Sequence, residues 1–135
     1  MNAAEHQRAM ATLREFIERR WVIYEEDESA FFFQYLAGPI TFHSYVEVNP
    51  ALDAVMFRAV LGGAPLRNEC YATMSELCEI HNQSLDAGCF AFSPGNGEVR
   101  FKMTSYFYCQ GFSENLVRDL VDPGLILLDS YVLSL

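Results

Sequence analysis

The chain has 135 residues, 51% of them hydrophobic and 20% charged, which suits one compact domain burying roughly two thirds of its extended-chain surface without a covalent staple. Eighteen acidic and nine basic side chains leave a net charge of -9, a field that repels polyphosphate at long range and speaks against general nucleic-acid binding. The opening MNAAEHQRAMATLREF has no apolar h-region, and no apolar run approaches bilayer-spanning length, so the expectation is a cytoplasmic protein with no membrane partner.

In that compartment Cys70, Cys78, Cys89 and Cys109 stay reduced. No pair has CxxC spacing, and Cys70 and Cys78, on one expected helix, are separated by roughly 12 Å along its axis, too far for a disulfide. They read as small buried apolar residues rather than as metal or redox groups.

Taken in chain order, residues 3 to 20 place Met10, Leu13, Phe16, Ile17 and then Trp21 at three- and four-residue steps, the apolar stripe of a helix. Asn2 and Glu5 have the spacing of a capping box at its start. Arg8, Arg14, Arg19 and Arg20 are interleaved with Glu5, Glu15 and Glu18, a solvated, self-paired face rather than an anion site. After the acidic YEEDES come three strand-like segments: AFFFQYL, closed by Ala37, Gly38 and Pro39; ITFHSYVEV; and LDAVMFRAVLG, which follows the turn-like Asn49 and Pro50. Ile40, Phe42, Val46 and Val48 alternate with Thr41, His43, Tyr45 and Glu47. Val55, Phe57, Ala59 and Leu61 likewise alternate with Ala54, Met56, Arg58 and Val60, giving an antiparallel meander with one strongly apolar face.

A second helix is expected from Pro65 to about Leu85, with Leu66, Cys70, Met74, Leu77, His81 and Leu85 along one side. His81 on that stripe reads as a core residue, because no Asp or Glu at i±4 orients it as a base or ligand. The amide of Asn82 is placed to tie the last helical turn to the following loop. Gly88, after Asp86 and Ala87, suits the positive φ of a helix end. Phe90 and Phe92 then alternate with Cys89 and Ala91 as a strand does. Pro94, Gly95, Asn96 and Gly97 make a turn centred on Asn96 and Gly97, and EVRFKMTSYFYC returns as the next strand. A strand rather than a helix follows these glycines, so they do not cradle phosphate. The last helix, SENLVRDLV, is capped by Ser113. Asp122 and Pro123 predict a kink or a restart before LILLDSYV. The order α-β-β-β-α-β-β-α over residues 1–135 means one α+β domain: a single antiparallel sheet of about five strands with helices on one face.

In element order nearly the whole chain resembles the bacterial YbjN domain, whose fold is similar to that of the type III secretion chaperones, most specifically at the corner that begins at Asn82. The resemblance lies in Asn82 late in the second helix, Gly88 after it, Phe90 two further on, the strand GEVRFK, the Ser-acidic cap and the closing DSY. Pro123 departs from it, falling in a helix that is usually continuous. The resemblance implies a small cytosolic, chaperone-like or regulatory interaction domain, with structural rather than catalytic roles at these positions.

The residues themselves carry no GxSxG, HExxH, Walker A or dinucleotide motif, and His6, His43 and His81 have no second ligand at a metal-binding interval. No catalytic residue, cofactor or metal is expected. The sheet face opposite the helices gathers His43, Tyr45, Met56, Arg58, Arg100, Lys102, Tyr106 and Tyr108. Tyr, Met and Arg there suit contact with a protein partner or a second copy of the chain, a homodimer. Cross-strand aromatic pairs on a merely solvated face are the bland alternative. The expectation is a non-enzymatic interaction module, with a small-ligand-binding domain as the alternative and an uncharacterised enzyme as the weaker one.

Overall fold

The structure, a computed structural model, describes residues 1–62, 68–85, 88–108 and 110–133. The expected helix start at Pro65 and Leu66, the Asp86–Ala87 step and Cys109 lie outside these residues. Helix α1 (Ala3–Glu18) opens with the capping box: the Asn2 side chain accepts from the Glu5 amide at 2.8 Å, and Glu5 accepts from the Asn2 amide at 3.1 Å. Its apolar stripe is buried from Ala9 to Ile17. Trp21 lies past the helix, its ring stacked on Phe33 at 3.9 Å.

Six strands follow in one antiparallel sheet: β1 (Glu25–Glu26), β2 (Ala30–Ala37), β3 (Ile40–Asn49), β4 (Ala54–Leu61), β5 (Cys89–Ser93) and β6 (Glu98–Tyr106), ordered β1-β2-β3-β4-β6-β5. The order and architecture match the α+β expectation, with the two-residue β1 as the addition. The acidic YEEDES hides β1 because its pairing is a backbone matter: Asp27 Oδ1 accepts from the Ser29 and Ala30 amides at 2.9 and 2.8 Å, and this Asx turn folds Glu25 and Glu26 back onto Phe32 and Phe31. Between β5 and β6 the turn spans Pro94 to Gly97, with Gly97 alone at positive φ, 70°. Its amide donates to the Ser93 carbonyl at 2.8 Å.

All three helices cover the same sheet face. Phe31, Phe33, Phe42, Val46, Val48, Val55, Phe57, Ala59, Phe90, Val99, Phe101 and Met103 point into one core with α1, α2 (Tyr71–Gln83) and α3 (Glu114–Leu133). Helix α2 follows a short 3₁₀ turn, Asn68–Cys70, and buries Met74 and Cys78. Of the stripe expected on it, Met74 is buried and Leu77, His81 and Leu85 are partly buried, while Cys70 departs from it. Cys70 and Cys89 are exposed, and only Cys78 of the described cysteines fits the reading of a small buried residue.

Helix α3 is continuous through Pro123, against the expected kink or restart. Ser113 caps it, accepting from the Leu116 amide at 3.2 Å. Proline removes one helical donor; here Pro123 and Asp119, whose carbonyl loses its partner, both face solvent. The buried side holds the helix on the sheet through Val117, Leu120, Val121, Gly124, Leu128 and Tyr131.

The helix-to-hairpin corner is a packing unit. The Asn82 amide clamps the start of β5, accepting from the Phe90 N–H and donating to the Phe90 carbonyl, both at 2.7 Å. The Phe90 ring stacks on fully buried Tyr131 at 4.6 Å. Gly88 has φ 83°, and a Cβ there would meet Met103 Cγ at 2.6 Å. His81 is half-buried with its ring 5.0 Å from Tyr131 and 5.7 Å from Phe90, in keeping with a core role. Burial pushes both the Cys78 thiol and the Tyr131 hydroxyl up, so neither ionises readily.

Two outcomes follow from these contacts. Asn82→Ala leaves both backbone groups of Phe90 without their partner and is expected to cost about 2 kcal/mol, read as a lower urea midpoint at unchanged slope. Near the same end of α3, the Tyr35 hydroxyl donates to Asp129 at 2.9 Å. Burial and that carboxylate push the phenol up to about 12. The neutral form is therefore favoured by folding: its contribution is complete below the ordinary value of about 10 and is lost between pH 10 and 12. Tyr35→Phe should flatten that part of the alkaline decline in urea midpoint; an unchanged decline would show that the contact carries no linkage.

Candidate functional site

Strand pleating sends alternate side chains to the sheet face that the helices leave bare. Along β2 these are Ala30, Phe32, Gln34 and Leu36; along β3, Thr41, His43, Tyr45 and Glu47; along β4, Ala54, Met56, Arg58 and Val60; along β6, Glu98, Arg100, Lys102, Thr104 and Tyr106. The register puts Phe32, Tyr45, Arg58, Lys102 and Cys89 in one row across five strands, and Gln34, His43, Val60, Arg100 and Ala91 in the next.

His43, Tyr45, Arg58 and Lys102 therefore come together as expected. Met56 shares their face but is only 8% exposed. The Arg58 side chain folds over it, Nη2 standing 3.5 Å from its sulfur, so Met56 is a floor under the site and not a contact surface. Tyr106 and Tyr108 stand apart. Tyr106 opposes Ala54, four residues along β4 from Arg58 and so about 13 Å away. The two rings, 54% and 70% exposed, lie 6.0 Å from each other at that corner of the sheet.

Arg58 is the electrostatic centre. Its Nη1 donates to the Tyr45 hydroxyl at 3.2 Å, and its guanidinium lies 5.8 Å from the Tyr45 ring centroid. Nε is buried and meets no acceptor among the described residues. Lys102, directly across the β4–β6 pair, is exposed.

Toward the other edge lies a groove of about 880 Å³. Strand β1 covers only Phe31 and Phe32, so the edge of β2 from Phe33 to Ala37 has no strand on that side among the described residues, and Trp21, Val22, Ile23 and Tyr24 line the groove there. Phe32, Leu36, His43, Tyr45 and Val60 line the groove with Ile23. Val22 and Ile23 are 99% and 85% exposed, and Leu36 and Phe32 are exposed as well. This apolar edge was not foreseen, although the alternation Phe32, Gln34, Leu36 and the run WVIY carried its signal. No group of three or more His, Cys, Asp or Glu side chains among the described residues is arranged to hold a metal ion. No helix among them is long and apolar enough to cross a membrane.

No family model and no curated protein matches the chain. Among solved structures, the crystal structure of E. coli YbjN, described as a candidate transcription regulator, matches with TM-score 0.67 over 93% of this chain and 89% of that one, at 13% identity. At that identity the likeness is one of fold, and the chain is YbjN-like in its single antiparallel sheet and its one-sided helical cover.

Proposed function

We propose that this chain is a non-enzymatic protein-interaction module, regulatory or chaperone-like, that takes a polypeptide partner or a second copy of itself on the open sheet face. The observation that carries this reading is the bare face itself. Its row of Phe32, Tyr45, Arg58 and Lys102 runs into an apolar strand edge with Val22, Ile23 and Leu36 exposed beside it. Large amphipathic side chains of this kind tolerate water before binding and are buried after it. The unpaired β2 edge adds backbone groups that an extended segment can complete.

The fold neighbour is described as a candidate transcription regulator. With a net charge of -9, a regulatory role here is exerted through protein contacts rather than by gripping nucleic acid, in a cytoplasmic setting. The non-enzymatic part rests on the absence of any local catalytic motif in the sequence. One observation favours a second reading: the groove of about 880 Å³ is of the size that holds a small organic ligand.

Affinity capture from the source cell with the native chain and a Tyr45→Ala/Tyr106→Ala variant tests both readings. A partner held by the native chain and lost from the variant supports the interface. A small molecule carried through native purification and seen by mass spectrometry supports ligand binding. A homodimer through this face should strengthen or hold as salt rises, because salt screens the repulsion between two copies of charge -9; dissociation on adding salt, seen by sedimentation, would point to a contact of opposite charges.

A further inference from the structure

Several arginines elsewhere in the fold hold carboxylates. Arg14 grips Glu26 at 3.2 and 2.9 Å, and Arg100 reaches Glu98 at 2.6 Å. Arg19 pairs with Glu114, and Arg20 with Asp122. Arg58 differs. Its partners are neutral, the Tyr45 hydroxyl and the Met56 sulfur, and its Nε is buried without an acceptor among the described residues. The carboxylate nearest in register, Glu47, opposes Met56 and makes no ion pair with it. Lys102 stands directly opposite Arg58 on β6, and like charges in that relation destabilise a sheet. A half-buried guanidinium with no counterion among the described residues, beside a second cation, is an arrangement that an incoming anion completes.

We propose that Arg58 and Lys102 receive the carboxylate of an extended, acidic segment of a protein partner, while an apolar side chain three or four residues away in that segment fills the groove beside Phe32, Leu36 and Ile23. The inference rests on the open face being the interface and adds the chemistry of the occupant. The spacing comes from the register. Strands lie about 4.8 Å apart, so Arg58 is about 10 Å and Lys102 about 14 Å from Phe32, which an extended chain covers in three or four residues at about 3.3 Å each. The overall negative charge does not forbid an acidic occupant, since at physiological salt fields fade over about 8 Å and the cations of the face act within that range.

Fluorescence anisotropy with labelled, otherwise uncharged Ser/Gly peptides carrying one Leu and, three or four residues on, one Glu provides the test. Saturable binding is expected, weakened about tenfold or more when Gln replaces the Glu. Arg58→Gln and Arg58→Lys should show a similar loss, because lysine keeps the charge but not the fork. Lys102→Gln, at an exposed position, should weaken binding by a smaller factor without touching the fold. Thermal melting of each variant separates loss of binding from loss of structure. Equal binding of the Gln peptide that still falls on Tyr45→Ala would overturn the acidic receptor and leave the open-face interface standing. Absence of saturable binding by the Glu peptides at either spacing would overturn it too. So would competition by free glutamate at the peptide's own concentration, which assigns a small anion, or an Arg58-dependent dimer that excludes the peptide, which assigns a second copy.

Discussion

The arrangement depends on one close approach: the backbone of α3 against the ring of Phe57 at the middle of the sheet. A Cβ at Gly124 would lie 2.7 Å from Phe57 Cδ1, so only glycine lets the helix settle at this depth. With α3 in place, Val117, Leu120, Val121, Leu128 and Tyr131 reach the aromatic layer formed by Phe33, Phe57, Phe90 and Phe101. The proline beside that glycine is tolerated for the same reason. Its lost hydrogen bond faces water, while the buried side of the helix gains contacts that outweigh a single missing donor.

One-sided cover has a consequence on the far face. Because the core takes one of every two side chains along the strands, the remaining face keeps what alternation leaves: Tyr45, Arg58, Lys102, His43 and Thr104, the apolar Phe32, Leu36 and Val60 toward the β2 edge, and Ala54 and Met56 shielded by their neighbours. Met56 marks the difference between sharing a face and offering a surface. Its position in the pleat puts it outside the core, yet the long Arg58 side chain lying over its sulfur takes it from solvent.

Period-two alternation in ITFHSYVEV and EVRFKMTSY, the Asn2 and Ser113 caps and the Asn82–Gly88–Phe90 corner were legible because each is a local pattern with a single geometric solution. Strand β1 was not, since Glu25 and Glu26 pair through backbone groups and carry no hydrophobic signature. Helix α3 defeated the local rule at Pro123 because the sheet beneath it decides the outcome. At the candidate site, residue types and face were readable for His43, Tyr45, Arg58 and Lys102. The burial of Met56, the distance of Tyr106 from Arg58 and the groove at Trp21–Tyr24 were not, because each depends on which strands are neighbours and where an edge is left unpaired.

The residues by which the chain resembles the YbjN domain belong to its packed and hydrogen-bonded part. Asn82 clamps Phe90, Phe90 stacks on Tyr131, Gly88 admits Met103, and Asp129 holds Tyr35. In this chain these positions answer to packing and hydrogen bonding. Arg58, Lys102, Phe32 and Leu36 have less to answer to: among the described residues Arg58 meets only the Tyr45 hydroxyl and the Met56 sulfur, the Phe32 ring lies 5.4 Å from that of Tyr45 and stays exposed with Leu36, and Lys102 stands opposite Arg58 as a like charge. A fold shared with YbjN at 13% identity sets the architecture and leaves the side chains of the open face to each sequence, while in this chain the corner and α3 hold that face in place.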